Sequence, residues 1–344
     1  MNIKVIFPEK NAHLSFQTEN QKRFVAADLE ERLAFVDRTL MYESLNGEGV
    51  DRSQPEPHRM QWTAVDAADS YCAEFIRPDG KITSVRTKDT SVLMPYLFTN
   101  CAYICRVTAY INGKAAAVSE DIPFTTADEQ PRFVRALNAT NIRDLGGWKT
   151  KDGRRVAQGK MFRGTEIDDN FPLTEEAIRT LTEELFLTSD FDLRGEAPAD
   201  DPGPLAAYGV TRVPSPLDSY CEFVDPNNKN DALATLRKLC NPDIYPLYFH
   251  CWAGADRTGT LAFLLLGYLG VPEDDVVLDY EATTLSVWGE RSRNYPNFVE
   301  LRAFMRRVYG SDGADLQTQV RRFFLTTGLT EEELKTLESI LLTD

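Results

Sequence analysis

The period of apolar and polar positions changes along this chain and divides it. From residue 59 to 127 apolar side chains recur at every second place in short runs: Met60 and Trp62, then Tyr71, Ala73 and Phe75, then the longer stretch 103–110 behind Leu97. A period of two marks strands with one buried face. Turn residues separate the runs, among them Pro78-Asp79-Gly80 and Asn112-Gly113, and a last strand is predicted at 122–125. Such regular short strands predict an all-β sandwich. Ahead of them, Ile3, Val5 and Phe7 alternate up to Pro8. Val25, Leu29, Leu33, Val36 and Leu40 then share one helical face, which predicts a helix over 21–40 as an excursion from the sandwich. Residues 45–58, rich in Gly, Asp, Ser and Pro, read as a loop.

From residue 138 helical and strand-like runs alternate. Helices are predicted at 174–184 and 232–239, and strands at 187–193, 210–213 and 247–249. Helices follow at 261–269, 274–284, 298–308, 316–324 and 331–342, the last opened by Thr330 and Glu333 in a capping-box relation. This order predicts an α/β domain, a parallel sheet flanked by helices, with its site beyond the carboxyl ends of the strands. The expected organisation is a sandwich at 1–127, a linker at 128–137 and a catalytic domain at 138–344. No internal repeat or low-complexity tract interrupts it.

Length permits two domains of ordinary size, and no apolar run approaches the ~20 residues that span a bilayer. The N-terminus lacks a signal-peptide apolar region, so the chain as given reads as cytoplasmic, or as secreted or cell-surface if a leader has been removed. A net charge of −15 disfavours nucleic acid and anionic membrane as partners. Any phosphate must therefore be captured locally. The six cysteines, at 72, 101, 105, 221, 240 and 251, show neither Cys-x-x-Cys nor metal-ligand spacing and read as reduced thiols, Cys101 and Cys105 as core filler. Only His13, His58 and His250 are present. That scarcity argues against a Cys–His protease pair and a zinc site. No metal and no cofactor are expected.

The chemistry is concentrated at residues 250–259, His-Cys-Trp-Ala-Gly-Ala-Asp-Arg-Thr-Gly. This stretch lies between an apolar strand and an apolar helix. Successive backbone N–H groups of Trp252, Ala253, Gly254, Ala255 and Asp256, with the helix N-terminus, make a site for an oxyanion. The same field favours a thiolate at Cys251. Arg257 offers a planar fork to two phosphate oxygens, and Thr258 can hydrogen-bond the sulfur when it leaves. A lone cysteine before a helix is usually a small buried hydrophobe. Here the flanking His250, Gly254, Thr258 and Gly259 complete the parts of a cysteine-dependent phosphatase.

Other segments carry a resemblance. Asn-Ile-Arg-Asp-Leu-Gly-Gly at 141–147, Gly-Lys-Met-Phe-Arg at 159–163, Asp-Leu-Arg at 192–194 with Glu196, Asp279-Tyr280, and the helices from Tyr309-Gly310 to Leu342 join the loop in a chain that resembles the bacterial tyrosine/serine protein phosphatase family, which includes mycobacterial secreted and cyanobacterial dual-specificity enzymes. The resemblance covers about 138–344 and implies the cysteine-phosphatase fold, with Cys251 as nucleophile and Arg257 as phosphate clamp. Residues 141–147 would be a structural segment, a Gly-Gly turn tied down by Asp144. The N-terminal part resembles a fibronectin type III domain, and the pair resembles an arrangement found in gut bacteria. Ala255 stands where the family usually carries lysine, which lowers the expectation of phosphoinositide activity and leaves phosphotyrosine-like monoesters ahead, with dual specificity open. Trp252 is either an aromatic wall of the pocket or a packed core residue.

Three aspartates compete as general acid. Asp218, in Val-Pro-Ser-Pro-Leu-Asp at 213–218, lies 33 residues before Cys251, about where related phosphatases place the acid. Asp256 sits in the loop and could instead fix its geometry. Asp192 ends a strand and is read as pairing with Arg194 or Arg143. The partner expected is a phosphorylated protein or small phosphomonoester, and the ligand of the sandwich stays open. Rival readings are a non-catalytic phospho-binding or adhesion module, a phosphoinositide phosphatase, and a sulfur transferase or arsenate reductase.

Overall fold

The computed structural model describes residues 2–33, 51–168, 172–195, 201–288 and 291–343, which divide into two compact units. Met1–Thr18 and Pro55–Gln130 form the first, Glu19–Gln54 and Pro131–Asp344 the second.

The first unit holds β1 (Val5–Phe7), β2 (Ala12–Leu14), β3 (Arg59–Trp62), β4 (Ser70–Ile76), β5 (Ile82–Thr87), β6 (Ser91–Leu93), β7 (Ala102–Ile111), β8 (Lys114–Val118) and β9 (Ile122–Thr126). They form one sheet in the order β1-β3-β6 and another in the order β2-β9-β7-β4-β5, with β8 also on β7. One core draws on both: Met60, Trp62 and Val92 from the first, Tyr71, Phe75, Tyr103, Val107 and Phe124 from the second. Alternation in sequence is alternation of burial here, since Tyr103, Cys105, Val107 and Ala109 are buried and their neighbours along β7 are not. Cys101 packs at the edge of that core. Strands β5 and β8 are largely exposed, which is why no apolar period announces them.

The second unit adds β10 (Arg132–Phe133), β11 (Arg143–Asp144), β12 (Arg155–Val156), β13 (Met161–Gly164), β14 (Ser189–Asp192), β15 (Thr211–Pro214), β16 (Leu247–His250) and β17 (Leu342–Thr343). Its main sheet runs β10-β11-β13-β16-β14-β15. The last four are parallel, whereas β10 and β11 add antiparallel pairs at one edge. The sheet is thus mixed rather than wholly parallel, because strands of two residues are too short to show a period. Strand β10 and the buried Phe133, Val134 and Ala136 fall within the predicted 128–137 linker, so most of that stretch is part of the fold. The Arg257–Tyr268 helix is buried on every side from Thr258 onward, as its unbroken apolar run requires. Thr330 Oγ1 accepts from Glu333 N at 3.1 Å while Glu333 Oε2 accepts from Thr330 N at 2.8 Å, the predicted capping box. Among the described residues no helix is long and apolar enough to cross a membrane.

The predicted 21–40 excursion is two helices, Glu19–Ala26 and Leu29–Leu33; positions 34–40 lie outside the described residues, as do 45–50 of the predicted loop and Glu196. It groups with the second unit, not with the first. Phe24 enters that unit's core at 1 % exposure, and Arg32 Nη1 donates to Glu281 Oε2 at 2.8 Å. A helical face shows that a residue is buried, not which core receives it. Phe24→Ala should therefore cost about 3–5 kcal/mol in the second unit. Urea denaturation followed by a signal from that unit checks this, and an unchanged midpoint would separate the excursion from its core.

Candidate active site

Register brings the ends of the parallel strands level. His250 pairs with both Gly164 and Asp192, and Asp192 with Pro214. Thr165, Cys251, Leu193 and Ser215 therefore leave the sheet side by side at its carboxyl edge, where α/β sheets place their sites. Cys251 follows the central strand β16, and the chain turns through 252–256 before entering the helix at Arg257. Gly254 has φ +64°, and a Cβ there would stand 2.2 Å from Gly164 O. Only glycine lets the loop lie on the end of β13.

The carbonyls of residues 251–254 are held from behind. Cys251 O lies 3.1 Å from His250 Nδ1. Trp252 O accepts from Thr165 Oγ1 at 2.8 Å and from Glu166 N at 3.0 Å. Asn141 Nδ2 donates to Ala253 O and Gly254 O, each at 3.2 Å, and Arg163 Nη2 donates to Gly254 O at 2.8 Å. In a trans peptide the following N–H points opposite to its carbonyl. The N–H groups of Trp252, Ala253, Gly254 and Ala255 are thereby turned away from these partners, and none donates to another described residue. Four amides left open among the described residues and running into a helix N-terminus have the geometry that suits an anion. Arg257 Nη1 reaches Leu193 O at 3.4 Å, and the Thr258 hydroxyl is buried without a partner among the described residues.

Beneath the loop lies a buried charge group. Asp279 accepts from Arg143 Nε at 2.8 Å and from Arg163 Nη1 at 2.5 Å, with all three side chains at 1 % exposure or less. Burial pushes the Asp279 carboxyl up, but the two guanidiniums outweigh it and hold it below its ordinary range. Arg143 Nη1 donates to Asn141 Oδ1 at 2.5 Å. Asp144 accepts from Gly146 N at 2.8 Å and Gly159 N at 2.7 Å, tying down the Gly-Gly turn.

On the other side, His250 Nε2 lies 2.8 Å from Asp190 Oδ1. Both ring nitrogens face acceptors, so both carry hydrogen in the form this geometry fits. Burial alone would lower the imidazole pKa, and the Asp190 carboxylate reverses this and raises it to about 9. Asp192 pairs with Arg194, as expected, and with Arg212, while Arg143 serves Asp279 instead. Burial would raise Asp192, but Arg194 and His250 hold it at about 2. A carboxylate so held has no proton to donate near neutral pH. Arg194 also binds Glu166 and Asp168 and lies over the Trp252 ring, 5.2 Å from its centroid. Trp252 is 37 % exposed, which favours a wall over a core residue.

Asp218 is exposed on the loop between β15 and the Tyr220–Val224 helix. On one side Leu217 N donates to Leu193 O, the carbonyl Arg257 also reaches. On the other, Tyr220 N donates to Thr260 Oγ1 at 2.9 Å. Asp256 is already engaged: Tyr220 Oη donates to it at 2.5 Å, and Arg291 reaches it through Nε at 3.1 Å and Nη2 at 2.9 Å. The sequence singled out neither Tyr220 nor Arg291 and left Asn141 as a turn residue. Their roles depend on partners far along the chain. For His250 and Asp190 an Asp-x-Asp pattern in a buried strand was an available signal.

The loop from Cys251 to Arg257 thus joins the central strand of an α/β sheet to a buried helix. Residues 134–343 match the model of the tyrosine phosphatase family, and the chain belongs to that family. A relative in Cupriavidus necator, provisionally named a tyrosine-protein phosphatase, is 30% identical over 170 residues, covering 41% of this chain. The match spans 59% of that relative's own length. Among solved structures, the core catalytic domain of the PP-IP phosphatase SIW14 of S. cerevisiae, in complex with citrate, overlaps at 17% identity and TM-score 0.32, covering 46% of this chain and 92% of that one. Among the described residues no group of three or more His, Cys, Asp and Glu could hold a metal.

The raised His250 pKa makes stability depend on pH. Its contribution is full below the unfolded value of about 6.5 and is lost as pH rises through about 9. Urea midpoints should therefore fall between pH 7 and 10, by at most roughly 3 kcal/mol from this group. His250→Gln should flatten that slope, and equal slopes in the two proteins would remove His250 as its source.

Proposed function

We propose that the chain hydrolyses phosphomonoesters, phosphotyrosine foremost and other phosphorylated hydroxyls second, through a cysteinyl-phosphate on Cys251. The observation that carries this reading is the set of amides at 252–255 that donate to no other described residue while the carbonyls of 251–254 are satisfied. Such a cradle fits three equatorial oxygens of a transferring phosphoryl group, and Arg257 adds a guanidinium to them. The Cys251 thiolate attacks phosphorus in line, forming the S–P bond as the P–O bond to the leaving group breaks. Asp218 gives its proton to that oxygen. Water then attacks phosphorus, Asp218 takes a proton from it, and the S–P bond breaks to release phosphate. The buried Thr258 hydroxyl, with no partner among the described residues, supports the departing sulfur.

Asp218 is preferred over Asp256 because Asp256 is held by Arg291 and Tyr220. In this reading Asp256 positions: through Tyr220 it ties the loop carrying Asp218 to the phosphate loop. Ala255 supplies no second cation, which favours monoesters over multiply phosphorylated lipids. Trp252, exposed at the loop, suits an aromatic substrate ring. The first unit is read as a fibronectin type III-like sandwich whose ligand stays open.

Cys251→Ser should abolish p-nitrophenyl phosphate turnover with the denaturation midpoint nearly unchanged; undiminished turnover would discard the mechanism. Asp218→Asn should lower kcat by about 10²–10⁴ for phenyl phosphate and much less for p-nitrophenyl phosphate, whose leaving group needs no proton. An equal loss on both would return the acid role to Asp256 or make Asp218 a binding residue.

A further inference from the structure

Every polar atom of Asn141 is in use, and one of its partners lies outside the part of the chain that the family model covers. The side-chain amide holds Ala253 O and Gly254 O, Arg143 Nη1 reaches both Asn141 O, at 3.2 Å, and Oδ1, and the backbone N–H donates to Ser53 Oγ at 2.8 Å. Asn141 has φ +62°, a left-handed conformation that asparagine adopts more readily than other residues with a Cβ but that still needs support. Asn141 is fully buried and Ser53 is 1 % exposed, so water cannot replace this bond.

Ser53 is itself held. Its hydroxyl donates to Asp51 Oδ1 at 2.6 Å, and its N–H donates to the same oxygen at 2.9 Å. The neighbours are fixed as well: Gln54 Nε2 donates to Ala139 O, Gln21 Nε2 to Arg52 O and Gln54 O, and Arg52 N to Leu285 O. A chain of contacts therefore runs Asp51–Ser53–Asn141–loop carbonyls, all within the second unit.

We infer that Ser53 is a positioning residue for the phosphate loop, so that the catalytic unit includes the 51–54 segment that precedes the family-matched region by some 80 residues. By accepting from Asn141 N, Ser53 holds the backbone conformation that aims the Asn141 amide at the loop. Those carbonyls in turn orient the amides for phosphate. Without Ser53 the loop is in its anion-ready form only part of the time, and apparent affinity falls by that fraction. This inference rests on the phosphatase reading and adds a residue to it.

The test uses the full chain, with orthovanadate inhibition of p-nitrophenyl phosphate turnover and vanadate titration as paired readouts. Ser53→Ala should raise the vanadate constant and lower kcat/KM about tenfold, the equivalent of about 1.4 kcal/mol and within the range of an unpaired buried N–H. Ser53→Thr, which keeps the hydroxyl, should recover most of this. In an Asn141→Gly background, where the left-handed backbone is unstrained and the amide is gone, Ser53→Ala should add less than twofold. A Ser53→Ala protein with a lower denaturation midpoint but unchanged vanadate constant and kcat/KM would overturn the inference while leaving the phosphatase reading intact. If Ser53→Ala does not fold, Asp51→Ala decides: a higher vanadate constant supports the inference and an unchanged one overturns it. A wild-type chain that neither binds vanadate nor turns over would overturn both.

Discussion

A loop whose backbone N–H groups all face one way, as the proposed phosphate cradle requires, needs somewhere to put its carbonyls. Each N–H turned inward at residues 252–255 turns one C=O outward into protein, and an unpaired buried carbonyl costs about 1–3 kcal/mol. The fold meets this with partners from three places: His250 beside the loop, the end of β13 with Arg163, Thr165 and Glu166, and Asn141 before β11. Gly254 is the geometric counterpart, since its carbonyl can reach Arg163 only if the loop lies against Gly164. That geometry is thus a property of the sheet edge around the loop rather than of the loop alone.

Charge under the loop follows the same logic. Two guanidiniums share one carboxylate at Asp279, so the group keeps an excess of positive charge in a dry interior. Burying ions is expensive, and what offsets it is that both Asp279 oxygens accept from guanidiniums and Arg143 is fully paired, although Arg163 Nε has no acceptor among the described residues. His250 and Asp190 form a balanced pair on the other flank. A dianion entering the loop would meet this excess through backbone dipoles, with Arg257 the cation nearest to it in sequence.

Local features were legible in the sequence and distant pairings were not. Cys251, Gly254, Arg257 and Thr258 stand in one short segment, so their spacing states their relation directly. The helices from 257 to 341 were legible too, the first as an unbroken apolar run buried on every side and the later ones by period. Strands β10 and β11 were not, being two residues long. Nor could the sequence show that Asn141 serves carbonyls 112 and 113 residues away, or that Asp256 is occupied by Tyr220 and Arg291. Such roles arise only when the fold brings separate segments together, and single side chains carry no period.

The backbone passes from one unit to the other at 18/19, 54/55 and 130/131. Two bodies threaded in this way cannot be parted by cleaving one peptide bond, and a nick at any single crossing leaves them tethered. End-to-end joining of two ready-made genes does not yield this connectivity, because a piece of the second body is encoded inside the first.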